Sequence, residues 1–185
     1  MRLLILRFLQ MLIQLLGTEQ ENSLSYESSP TLHKYQEQFE RVKRWYSRFE
    51  KIDKGQLHNV PSDYYQDEVY AFFLNCYHLK DWIKNDPSVG PVAAEVEDFI
   101  NNTRELRLCA DICNSHKHLR LNRSQRSGEN PQFGKRHFSL HVGNAIETSL
   151  SVKYSIETSS ESIDAFVLAT KCLQAWQSFI TINLV

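Results

Sequence analysis

The sequence lacks a charge of one sign: 21 Lys and Arg stand against 22 Asp and Glu, a formal net charge of -1. No global attraction to nucleic acid or to an anionic membrane follows, so any electrostatic argument is local. Standard catalytic signatures are missing too. There is no phosphate-binding loop, no Gly-x-Gly-x-x-Gly, no His-Glu-x-x-His and no Gly-x-Ser-x-Gly, and the chemistries built on those arrangements lose their support. The four cysteines, Cys76, Cys109, Cys113 and Cys172, include no Cys-x-x-Cys and no zinc-ribbon spacing. They read as buried thiols of a reducing, cytoplasmic compartment rather than as a disulfide framework. A metal on Cys109 and Cys113 would need His116 or a distant partner as well, and neither a metal nor a cofactor is expected.

No apolar run reaches the roughly 20 residues that span a bilayer. Residues 1–16, MRLLILRFLQMLIQLL, come nearest. A secretory signal is disfavoured by Arg7 inside the run and by the missing small-x-small cleavage site after it. On a helical wheel Arg7, Gln10 and Gln14 form a polar stripe, so the segment suits a membrane surface or a partner helix. An extension from a misplaced start codon fits the composition as well. Residues 17–29 are polar and read as a linker, which leaves residues 30–185 as a single domain.

What the sequence does have is helical periodicity. Ser29 and Pro30 suit a cap and a first helical position, and Leu32, Tyr35, Phe39, Val42, Tyr46 and Phe49 then alternate gaps of three and four up to about Lys54. A second stripe, Tyr65, Val69, Phe72, Cys76, Leu79 and Ile83, predicts a helix over 62–85, closed by Asp86 and Pro87. A short amphipathic piece covers 91–100. Asn102 and Glu105 stand at capping-box spacing and predict the start of a central helix.

Further on the period becomes two. Phe138, Leu140 and Val142 alternate with His137, Ser139 and His141, and Leu150, Val152, Tyr154 and Ile156 alternate with polar residues. Both apolar sets share a face only if paired residue numbers sum to an even value, which a three-residue loop at Gly143, Asn144 and Ala145 satisfies. An isolated hairpin is marginal, so this one is expected to pack on the helices. Thr158 and Glu161 form a second capping-box pattern, predicting a last helix with Ile163, Phe166, Val167, Leu173, Trp176 and Ile180 on its apolar face. The expected fold is mainly α: a bundle of four to five helices with one antiparallel β-hairpin before the C-terminal helix.

The densest chemistry lies between Arg104 and His118, RELRLCADICNSHKH. At about 100° per residue, Arg104, Arg107, Asp111, Asn114 and His118 share a narrow arc, and Leu106, Cys109, Ala110, Ile112 and Cys113 occupy the opposite one. His116 and Lys117 project into the apolar arc. Lys117 must therefore find a carboxylate, reach water, or mark the helix end; the plainer reading is a last turn whose cations suit the helix dipole. On the preceding long helix His78 and Asp81 stand one turn apart, able to bond each other and to neighbour this arc, or to form a local pair without chemistry. From Lys117 to His137 six cations, Lys117, Arg120, Arg123, Arg126, Lys135 and Arg136, face one acid, Glu129. With its Ser, Asn, Gly and Pro content the stretch reads as a mobile basic loop suited to a phosphate backbone.

Asp111-x-x-Asn114-x-x-Lys117-His118, followed by a hairpin and a capped helix containing Trp176, resembles small helical proteins of prokaryotes that have no agreed activity, over about residues 30–182. More distantly, the arrangement is similar to the HEPN helical-bundle superfamily, many of whose members are ribonucleases of toxin or defence systems. The mark of that superfamily is an Arg followed after four to six residues by a His on a helix. Here eight residues separate Arg107 from His116, and the formal match, Arg136 with His141, lies on a predicted strand; no catalytic role is carried over.

Two functions stand against each other. In one, a non-enzymatic interaction domain uses Asp111, Asn114, His118 and His78 as a satisfied structural network. In the other, a metal-independent ribonuclease or RNA-binding domain uses His116 or His118 as general acid or base, with Asp111, Asn114 and Lys117 beside it and the basic loop collecting the chain. The partner is RNA in one case and another protein in the other. A buried, fully paired Asp111 favours the first, and binding that falls steeply with salt favours the second.

Overall fold

Helix α1 (Lys34–Lys54) buries Tyr35, Phe39, Val42, Phe49 and Ile52, the positions that the alternating gaps of three and four place on one side. The computed structural model describes residues 33–57, 60–117, 124–142 and 148–184, with the side chains of residues 116 and 117 left aside. Among these, five α-helices and a small antiparallel sheet make up the fold. α1 starts at Lys34, and the predicted start at Ser29 and Pro30 falls outside the described residues. Gly55 ends the helix with φ 107°, a backbone conformation that costs other residues a Cβ clash.

Helix α2 (Ser62–Asn85) buries the whole expected stripe from Tyr65 to Ile83, with Phe73 added. It lies along α1, where Gln38 Nε2 donates to the Asn75 carbonyl at 3.0 Å. A 3-10 segment (Gly90–Glu95) leads into the short α3 (Val96–Asn102), and α4 (Arg104–Lys117) follows after the single extended residue Thr103. The capping box expected at Asn102 and Glu105 is not formed. Asn102 is the last residue of α3, the Thr103 carbonyl accepts from Arg107 N at 3.1 Å, and the Thr103 hydroxyl donates back to Phe99.

The sheet has the order β1-β3-β2, from β1 (Gln56–Leu57), β2 (Gln132–Val142) and β3 (Thr148–Glu157), with β4 (Ser162–Asp164) also paired to β3. The even-sum register holds: Phe138 pairs with Val152 and Leu140 with Leu150. The last described pair is Val142 with Thr148, and the loop expected at Gly143, Asn144 and Ala145 lies outside the described residues. Nearer the start of β2, a register shift between Phe133 and Arg136 marks a bulge. Lys135 and Arg136 therefore belong to a strand and not to a loop.

The pattern at Thr158 and Glu161 has the expected local hydrogen bond, Glu161 N to Thr158 Oγ1 at 3.1 Å, but it closes the turn between β3 and β4. Helix α5 (Ala165–Asn183) begins later. Asp164 caps it, accepting from Phe166 N at 2.8 Å and Val167 N at 3.0 Å. α5 buries Leu168, Ala169, Cys172, Trp176, Phe179 and Ile180, whereas Val167, expected inside, is exposed. Tyr46 and Thr170 join α1 to α5 at 3.0 Å, and Asp53 holds Lys153 at 3.0 and 3.1 Å, joining α1 to β3. No described helix is long and apolar enough to cross a membrane.

Candidate functional site

α4 is covered on nearly every side: Leu106 and all of Leu108 to Cys113 are buried, Asp111 included. A helix amphipathic in sequence is buried all round because the chain returns over its polar arc. The segment from 124 to 131 lies on Asp111, whose carboxylate accepts from Arg126 N at 2.8 Å, Ser127 N at 2.7 Å and Ser127 Oγ at 2.6 Å. Three donors to one buried carboxylate satisfy it within the fold. Asp111 is thus turned toward the protein's own backbone and not toward solvent.

Arg126, the cation of this return, is occupied as well. Arg126 Nη1 donates to Glu97 Oε2 at 2.9 Å, and Glu97 Oε1 takes Lys84 at 2.9 Å and Lys80 at 3.4 Å. Burial pushes the Glu97 carboxyl up, but the bonds from Lys84 and Arg126 and the charge of Lys80 outweigh it and hold it at about 2. Arg104 grips Glu129 in a two-bond fork, Nε to Oε1 at 2.8 Å and Nη2 to Oε2, and reaches Glu161 at 2.8 Å. Its guanidinium holds the Glu129 carboxyl below the usual range. Of the basic stretch expected to be a mobile loop, 124–131 is thus anchored at Asp111, Glu97 and Arg104 and 132–137 belongs to β2, while 118–123 lies outside the described residues.

The expected site residues are distributed unevenly. Asp111 and Arg126 meet directly. Asp81 joins them at a distance, because it takes Lys80 at 2.8 Å and Lys80 reaches Glu97. The hydrogen bond expected between His78 and Asp81 is not formed: the carboxylate belongs to Lys80, and His78 is exposed beside the Tyr77 ring at 6.3 Å. Asn114 is half-buried one turn beyond Asp111. Lys135 and Arg136 are exposed on β2. His118, Arg120 and Arg123 lie outside the described residues, as do the side chains of His116 and Lys117. Glu97 and Ser127, which organise the network, have no sequence signal of their own; their partners come from other elements.

A second feature lies on the sheet. β2 is the terminal strand among the described residues, and apart from Phe133 and its neighbours it stands clear of the helices. Phe133 packs on Tyr70 at 4.5 Å and Phe73 at 5.9 Å, but Phe138 is 51% exposed, Leu140 58% and Val142 76%. The expectation that both apolar sets of the hairpin pack on helices holds for β3 alone. Lys135, Arg136, His137 and His141 are exposed on the same strand, which contains no acid. Comparison with family models, with curated proteins and with solved structures returned no match.

Proposed function

We propose that this chain is a non-enzymatic interaction domain whose β2 edge takes up an extended, acidic and apolar segment of a protein partner. The observation that supports the reading is the strand itself. It has eleven residues, an unpaired outer edge among the described residues, and three large apolar side chains half or more exposed. Long apolar edges invite pairing and are ordinarily shortened, charged or covered. An added strand gains backbone hydrogen bonds from the edge and reads alternate side chains. Apolar residues of that strand lie beside Phe138, Leu140 and Val142. Carboxylates suit the end near Lys135, Arg136 and His137, where the strand itself carries no acid and Glu157 of β3 is the neighbouring carboxylate. The Asp111 network fixes the stretch of chain that leads into β2, consistent with a role other than chemistry.

The experiment uses the full chain with two synthetic ten-residue strands, one alternating Glu with Val and one alternating Lys with Val, and a single-stranded RNA of mixed sequence. The acidic strand is expected to bind about tenfold or more tighter than the basic one, and Leu140→Lys is expected to abolish binding without lowering the melting temperature. RNA bound with a steep loss in salt, or cleaved by the wild type but not by His116→Ala or His118→Ala, overturns the reading in favour of a ribonuclease-like domain. Concentration-dependent dimers that Leu140→Lys dissolves overturn the choice of partner.

A further inference from the structure

Cys76 of α2, Cys109 of α4 and Cys172 of α5 come from three helices, and their sulfur atoms all lie within 4.8 Å of one another. Each is wholly buried, and none is in a disulfide. Three thiols packed as small apolar groups need no such convergence; they could point anywhere in the core. A second observation bears on the same spot. Trp176 Nε1, on α5 one turn after Cys172, is buried without a hydrogen-bond partner, an arrangement that costs free energy unless an acceptor is supplied.

From this convergence of three sulfurs around an unused indole donor, we propose that Cys76, Cys109 and Cys172 form a three-coordinate site for a soft monovalent metal ion, Cu(I). Sulfur donors select thiophilic ions. Bonds of about 2.3 Å in a trigonal arrangement place sulfurs roughly 4 Å apart, so side-chain rotations of under an ångström close the site. Zn(II) is served less well. It takes four ligands in structural sites, and among the described residues no His, Asp or Glu joins the group.

The ligation needs no oxidant or reductant. Each sulfur that binds Cu(I) does so as a thiolate, its proton leaving to solvent, and no electron moves. The Cys109 and Cys172 thiols donate to the Phe73 carbonyl at 3.5 Å and the Glu105 carbonyl at 3.3 Å, bonds that are given up when those sulfurs turn to the metal. Entry to a site this enclosed accompanies folding or local opening.

The test is a titration of the full-length protein, reduced and free of oxygen, with Cu(I) in competition with bicinchoninate, and separately with Zn(II). The expected result is one Cu(I) per chain, bound more tightly than Zn(II), with a sulfur-only shell near 2.3 Å in X-ray absorption and a higher melting temperature. Cys76→Ser, Cys109→Ser and Cys172→Ser are each expected to lower affinity about a hundredfold, while Cys113→Ser, buried on the same helix as Cys109, keeps it. The wild-type titration decides the matter even where a core variant fails to fold. No stoichiometric uptake, preference for Zn(II), or uptake lost equally in Cys113→Ser overturns the proposal and leaves the three thiols as packing.

Discussion

Asp111 accepts both the backbone N–H and the hydroxyl of Ser127, at 2.7 and 2.6 Å, while itself buried in the middle of α4. The carboxylate thereby replaces the water that the two donors would otherwise bind, and it fixes the return of the chain over α4. Asp111→Ala leaves those donors and Arg126 N unpaired and opens a small cavity, so the expected cost is about 3 kcal/mol. Asp111→Asn keeps the shape but loses the charge on its bonds, and should cost about half as much. Urea unfolding measures both. Amide exchange at Arg126 and Ser127 should accelerate in each variant before global unfolding does, and unchanged exchange there would contradict the clamp.

Glu97 gives the fold an acid-sensitive joint. Its folded pKa, about 2, lies below the ordinary 4.5, so its stabilisation is fully present above the unfolded value and disappears as pH falls from about 5 to 2. With the carboxylate partly exposed, solvent screening reduces the effect to roughly 1–2 kcal/mol. Glu97→Gln should therefore melt lower than wild type at pH 7, with the gap closing near pH 2. Thermal scans across that range check it, and a gap independent of pH would mean that packing, not charge, accounts for the loss.

Periodicity made the apolar stripe of α2 legible, because every one of Tyr65, Val69, Phe72, Cys76, Leu79 and Ile83 answers to the same 3.6-residue repeat. The parity of the β2–β3 register was legible for a similar reason: only even sums put Phe138 beside Val152. What periodicity does not encode is which element covers which. Asp111 sits in a polar arc by its spacing, yet it is buried by residues fifteen and sixteen positions later. Phe138, Leu140 and Val142 read as an inward face, yet no described helix reaches them. The cysteine cluster draws on three helices, and the spacing test applied to Cys109 and Cys113 looked along one. Thr158 and Glu161 formed the local hydrogen bond their pattern promises, within a turn, because Ser162 to Asp164 continue as a strand on β3.

That last distinction is measurable. Asp164 supplies two hydrogen bonds to the first turn of α5, so Asp164→Ala should cost about 1 kcal/mol, the usual worth of a helix N-cap. Thr158→Ala removes contacts of a solvent-exposed turn and should cost roughly half that or less. Chemical denaturation of the two variants orders them, and the reverse order would place the start of α5 at Thr158.

Gly134 lies inside the bulge of β2, where a Cβ would collide with the Glu157 side chain and come within 2.7 Å of Ser155 Oγ. Glu157 Oε1 accepts from Ser155 Oγ of the same strand at 2.6 Å and from Ser162 Oγ at 2.9 Å, the second bond joining β3 to β4 just before the cap of α5. Gly134→Ala must push Glu157 aside, because its flexible end is the part that can move. The bulge itself survives, since Gly134 is not among the positive-φ residues of the chain. The expected cost is therefore the two lost hydrogen bonds, about 1–2 kcal/mol. Glu157→Ala removes the nearer obstacle along with the same bonds and leaves only the Ser155 hydroxyl to turn aside, so in that background Gly134→Ala should cost less than in the wild type. A double-mutant cycle by urea unfolding measures the coupling, and additive losses would show that the methyl group strains the strand itself.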